Sequence, residues 1–201
     1  MNRRHVLIFA AYSLAGLAGP RAFAAGAPQF EVPDTTMRKR RLAEFKGKMV
    51  VLEWTSASCP FVRAQYESAV MPELQRWSAA QGVVWLSVIS THPSRRDYLA
   101  PDKAQAMHRA RGGAPAALLV DSEGTMGRAY GAVVTPHMFI IDPKGDIVYS
   151  GAISDNPTMS AKEARASRNY VKAALEDLAA GRKVATPSTR PFGCTIAYSG
   201  Y

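Results

Sequence analysis

The chain reads as an α/β protein, a central mixed sheet with helices on both faces. Three observations predict this. Short strand-forming runs alternate with amphipathic stretches in the order β-α-β-α-β-(short α)-β-β-α, and such alternation builds a mostly parallel sheet covered by helices. The runs at 49–54 and 83–90 are almost continuously apolar, as strands covered on both faces are. Asp142-Pro143-Lys144-Gly145-Asp146 is turn chemistry of the kind that joins antiparallel neighbours, so the sheet should close on an antiparallel edge.

Residues 25–41 read as an extended arm and loop, because Pro28 and Pro33 break any helical pattern there. Residues 42–46 lead through a turn at Gly47 into the first strand. Thr55-Ser56-Ala57-Ser58 ends that strand, and Cys59-Pro60 opens a helix-like stretch to about Ala80, Pro suiting a first helical position. Pro72 should kink or split that helix, and Gly82 ends it. After strand 83–90 and a polar loop, residues 102–111 read as a helix capped by Asp102. A strand at 116–120, a turn at 121–124 and one or two helical turns at 125–130 follow. Strands 137–141 and 147–153 flank the hairpin loop. Ser160-Ala161-Lys162-Glu163 is a capping box, opening a helix with the apolar face Val171, Ala174, Leu175 and Leu178 that ends at Gly181.

The 201 residues suit one domain with short extensions: 1–24 a signal peptide, 25–181 the domain, 182–201 a tail carrying Cys194. Arg3, Arg4 and His5 precede an apolar run at 6–19, and Ala22-Phe23-Ala24 fits signal-peptidase cleavage. The run is short for a bilayer span, so no membrane attachment is expected once the signal is removed. Arg3-Arg4 also hints at twin-arginine export. Export places the protein in the periplasm or outside the cell. Cleavage takes Arg3, Arg4 and Arg21 and no acid, three of the nine net positive charges, leaving +6. The run 38–41 is read as a solvated loop rather than a nucleic-acid site, and no nucleic acid is expected as a partner.

Three segments carry a family resemblance: residues 42–59, a Leu, Phe and Gly-Lys lead into a strand with a cysteine after an aromatic; residues 121–131, with Arg128-Ala129-Tyr130-Gly131; and Thr135-Pro136 followed by residues 137–145. Together they resemble the redoxin, thiol-specific-antioxidant branch of the thioredoxin-like superfamily. Two departures stand out. Members with a paired site carry a second cysteine where this chain has Val62, and peroxidase members carry Thr and Pro where it has Ser56 and Leu52. The resemblance implies a thioredoxin-like fold and thiol chemistry, either peroxide reduction or thiol–disulfide exchange. It implies a thiol or disulfide protein as electron donor or acceptor and no cofactor. It also places a cis proline at Pro136, leaving the Thr135 backbone free to pair with an extended substrate.

Cys59 is the expected nucleophile. The thiolate is the reactive form, and a cysteine where a helix begins faces unpaired N–H groups and the positive end of the dipole. Arg63, one turn on, would add charge if it points back. Cys194 is open to three readings: it resolves an intermediate on Cys59 from a mobile tail, it staples Cys59 permanently, or it stays free. Trp54 is read as core, and Glu53 as either buried beneath the site or solvated. His92 and His108 are read as surface residues. Cys, His137 and Met138 are copper-suited ligand types, which keeps a copper-handling alternative beside the non-enzymatic scaffold with a locked disulfide.

Overall fold

A computed structural model of the chain describes residues 26–198. The expected signal peptide and residues 199–201 lie outside them. In place of the extended arm and loop that the sequence suggests, β1 (Glu31–Pro33) and β2 (Lys39–Arg41) form an antiparallel hairpin. The basic run 38–41 is ion-paired: Lys39 and Arg41 with Glu31, Arg40 with Asp34 and Glu44, and Arg38 with Glu44. The hairpin thus consumes charge that a nucleic-acid site would present.

A 3-10 turn at Leu42–Phe45 leads into β3 (Val50–Trp54), all of it buried. Helices α1 (Pro60–Glu67) and α2 (Val70–Ala80) follow, then β4 (Val84–Ile89), α3 (Pro101–Ala110), β5 (Ala117–Val120) and α4 (Thr125–Tyr130). The chain ends with β6 (Val134–Thr135), β7 (His137–Ile141), β8 (Ile147–Gly151), α5 (Ala161–Ala166), α6 (Tyr170–Ala179) and β9 (Cys194–Thr195).

The main sheet has the order β5-β4-β3-β7-β8. Strands β3, β4 and β5 are parallel, while β7 and β8 run antiparallel, so the expected hairpin edge includes a strand beside the centre. Alternation along β3 sends Val50, Leu52 and Trp54 into a core with Phe30, Phe45 and Tyr130. It sends Val51 into the opposite core, with Val62 and Tyr66 of α1, Leu74 of α2 and Val171 of α6. Each such fully buried side chain contributes roughly 1.5–3 kcal/mol. No helix among the described residues is long and apolar enough to cross a membrane.

Three boundaries differ from expectation. The first long helix does split, but at Ala69, whose φ of 62° caps α2. Pro72 sits in the first turn of α2, where a missing N–H leaves no helical bond unmade. Helix α3 starts one residue before Asp102, with Pro101 in the first position and Ala100 as cap. Ser160 does accept the Glu163 N–H at 3.4 Å, but the Glu163 carboxylate takes the Thr158 hydroxyl instead of closing the box. That helix stops at Ala166, and Asn169 caps a separate α6 through the Lys172 N–H at 2.8 Å.

The tail is docked rather than mobile. Ser150 of β8 bonds Pro187 O and Thr189 N, each at 3.1 Å. Strand β9 then pairs with β6, and the Ile196 N–H reaches Val133 O at 3.1 Å. Tyr198 is buried against α4, its hydroxyl donating to Ala132 O at 2.8 Å. Residues 190–195 are therefore a strap fastened at both ends.

Candidate active site

Strand β3 delivers the chain to the site and α1 carries it away. Between them the loop is fastened at two points: Ser58 Oγ donates to Asp97 Oδ2 at 2.7 Å, and Arg111 Nη2 to Ala57 O at 3.0 Å. Cys59 is the N-cap of α1, in extended conformation, with Pro60 in the first helical position. It is only 1% exposed. The Sγ donates to Thr135 O at 3.0 Å, and the Thr135–Pro136 bond is cis.

Strand β9 places Cys194 directly opposite Thr135. The two sulfurs are neighbours. The Cys194 thiol hydrogen-bonds the Cys59 sulfur and also receives the Phe61 N–H of the first turn of α1. The helix amide expected to serve Cys59 thus serves Cys194. Burial first, and then the bond to the Cys59 sulfur, push the Cys194 thiol up to about 12, against the pull of the Phe61 amide. Both cysteines are free thiols.

The strap makes the rest of the enclosure. The Phe192 ring lies 6.0 Å from that of Phe61. Gly193 has φ of 142°, and a Cβ there would overlap the Thr135 carbonyl oxygen. Only glycine lets the strap come this close. A cavity of about 70 Å³ remains beside Cys194, lined by Thr55, Ser56, Ser90, Asp97 and Thr135 among others. The buried Thr135 hydroxyl has no protein partner.

Beneath the site, Glu53 is fully buried on the α1 face. Its carboxyl receives Tyr66 Oη at 2.9 Å, Gln75 Nε2 at 3.0 Å, Trp85 Nε1 at 2.9 Å and Ser87 Oγ at 2.8 Å. Burial raises its pKa, and the four donors oppose the shift. Of the two readings of Glu53, the buried one holds.

His108, expected at the surface, is 2% exposed, with Nε2 3.2 Å from Tyr66 Oη. Gly113 leaves room for its ring. Tyr66, Gln75 and His108 are the residues sequence reasoning missed here; they come from three helices and share no spacing that would reveal them. Trp54 is core, packed on Tyr130 and Phe139. Arg63 points along α1 to Glu67 at 3.6 Å, away from Cys59.

His137 and Met138 do not converge. His137 stacks on Phe139 at 4.5 Å in one core, while Met138 is buried in the other. Among the described residues no group of three His, Cys, Asp or Glu stands ready to hold a metal.

A five-stranded mixed sheet, a cysteine at the first turn of a helix and a cis proline against its sulfur define a thioredoxin-like redoxin. More narrowly, the chain belongs to the AhpC/TSA family, whose model matches residues 24–150. The match stops before the strap. A hypothetical protein from Sinorhizobium meliloti 1021 shares the fold at a TM-score of 0.73 and 24% identity, over 88% of this chain and 94% of that one. An uncharacterized conserved protein from Geobacillus kaustophilus does so at 0.75 and 23%, over 92% and 100%. A secreted Mycobacterium tuberculosis disulfide oxidoreductase homologous to E. coli DsbE aligns at 0.50 and 20%, over 69% and 92%. No curated protein matches the chain.

Proposed function

We propose that this chain is an exported thiol oxidoreductase that cycles Cys59 and Cys194 between dithiol and disulfide. The observation that carries this reading is the contact of the two sulfurs across the Thr135 carbonyl, at the first turn of α1. Residues 1–24 act as the signal peptide, and 182–201 as a tail that supplies the second sulfur. The M. tuberculosis neighbour, itself secreted, supports export to the periplasm or beyond.

Two opening reactions lead to one product. With a peroxide, the Cys59 thiolate attacks one oxygen, the O–O bond breaks, and Cys59 becomes a sulfenic acid while an alcohol or water leaves. The Cys194 thiol then condenses with it, forming the disulfide and releasing water. With a protein disulfide, the Cys59 thiolate forms a mixed disulfide and Cys194 releases the partner as a thiol. In the peroxide cycle an external dithiol protein reduces Cys59–Cys194 and is itself oxidised. In the exchange cycle the substrate disulfide accepts two electrons from the reduced pair, and an external dithiol, itself oxidised, returns them. Thr135 and Pro136 hold the Cys59 sulfur in place.

Turnover of hydrogen peroxide and of a model protein disulfide by Cys59→Ser and Cys194→Ser tests the reading. Cys59→Ser should lose both activities. Cys194→Ser should stall, trapping sulfenic acid or mixed disulfide on Cys59, and rapid mixing with hydrogen peroxide separates the peroxide route from the exchange route. Retained turnover in Cys59→Ser ends the proposal. The burial of Cys59 and the double fastening of the strap favour one second reading, a scaffold with a permanent Cys59–Cys194 staple. A thiol count unmoved by mild reduction would support it.

A further inference from the structure

We propose that the strap is a gate: docked, it bars a polypeptide from Cys59, and released, it opens the Thr135 edge to a cysteine-bearing polypeptide. This deepens the proposed function and rests on it.

The backbone of Thr135 is already taken. Cys194 stands opposite it in an antiparallel pairing, with Thr195 opposite Val134. The chain's own residues therefore occupy the place where an extended partner would add a strand, and they put a cysteine against the Cys59 sulfur as such a partner would. Phe192 closes one side on Phe61. Ile196 closes the other, 5% exposed in the core. What remains open is a cavity of about 70 Å³ beside Cys194, lined by Thr55, Ser90, Asp97, Thr135 and Ile196 among others, too small for a peptide.

The docked state depends on Gly193. Any side chain there meets the Thr135 carbonyl, an atom of backbone that cannot step aside. The strap's outer attachments are Thr189, bonded to Tyr149 of β8, and Tyr198, seated on Gly127 of α4 and bonded to Ala132 O just beyond it. The strap can thus lift between them by local opening while the sheet stays intact. A peptide that replaces it must carry glycine, or an equivalent backbone, just before its cysteine.

The test uses the full-length protein with Cys194→Ser as background, so that Cys59 is the one thiol. The probe is a synthetic peptide of residues 190–197 whose cysteine is activated as a thionitrobenzoate mixed disulfide. Release of the chromophore reports attack by Cys59, and methyl methanethiosulfonate serves as the small reagent. The gate predicts slow attack on the peptide and ready reaction with the small reagent. Adding Gly193→Ala should speed the peptide reaction at least about tenfold and leave the small-reagent rate within about threefold. Phe192→Ala, a milder loosening, should fall between.

Circular dichroism melts confirm that each variant is folded. If Gly193→Ala is not, Phe192→Ala alone decides: faster peptide attack supports the gate, an unchanged rate overturns it. Equal peptide rates with and without the folded Gly193→Ala also overturn it. Failure of the underlying redox reading looks different: Cys59 then stays inert to both reagents in every folded variant.

Discussion

Glu53 shows how much one buried carboxyl can organise. It ends no helix and touches no solvent, yet four side chains from β3's neighbours and from α1 and α2 donate to it. Removing it strands those donors in a water-free core, where each unmet donor costs about 1–3 kcal/mol. Glu53→Ala should therefore lose about 3–5 kcal/mol in urea unfolding, and Glu53→Gln distinctly less. A loss under about 1 kcal/mol in the alanine variant would contradict the network. Little of this is legible in sequence. A lone Glu near a strand end gives no sign of its depth, and Tyr66, Gln75 and His108 join it only through the packing of three helices. Cys59 is legible for a different reason: it sits in a local pattern, a helix start, that survives without tertiary information, whereas Pro136 is singled out by the family resemblance.

At the scale of elements, helix starts and turns are readable where local chemistry decides them, and misleading where a neighbour intervenes. Pro60 does begin α1, and the loop 142–146 does make a hairpin. Ser160 caps as expected, but Thr158 diverts the Glu163 carboxylate and the helix ends early. For the tail, sequence leaves open a mobile carrier of Cys194 and a fixed staple; its prolines and glycines shape a fastened strap. The lock at its far end is Tyr198, seated over Gly127 of α4, where a Cβ would overlap the Tyr198 oxygen. In an ordinary exposed helix Gly→Ala gains up to about 1 kcal/mol. Here Gly127→Ala should instead lose about 1–3 kcal/mol, because the ring is displaced from its slot. It should also raise the rate at which iodoacetamide labels Cys194, read by mass spectrometry of the tryptic peptide. A stabilised variant with unchanged labelling would show that Tyr198 does not hold the strap.

For the whole molecule, pH exposes the cost of its buried histidines. Burial pushes His108 and His137 down to about 4, from 6.5 when unfolded. Between those values the unfolded chain binds protons that the folded chain refuses, so stability falls as pH drops from 6.5 towards 4 and levels off above 6.5. Each histidine contributes roughly 1 kcal/mol per pH unit in that window. Urea titrations should show His108→Gln and His137→Gln each losing its share of the slope; an unchanged slope would contradict the burial. The sheet and its two cores follow from apolar alternation, but the meeting of Cys59 with Cys194 does not, because 135 positions separate them and no local pattern links a tail to a helix start. That meeting is the centre of the account. Its most direct test is to equilibrate the full-length protein in glutathione buffers of graded potential and count free thiols. The account predicts one reversible step from two thiols to none, with Cys59 and Cys194 joined in the tryptic map. A count fixed at two or at none across the whole range, or loss of a single thiol, would contradict it.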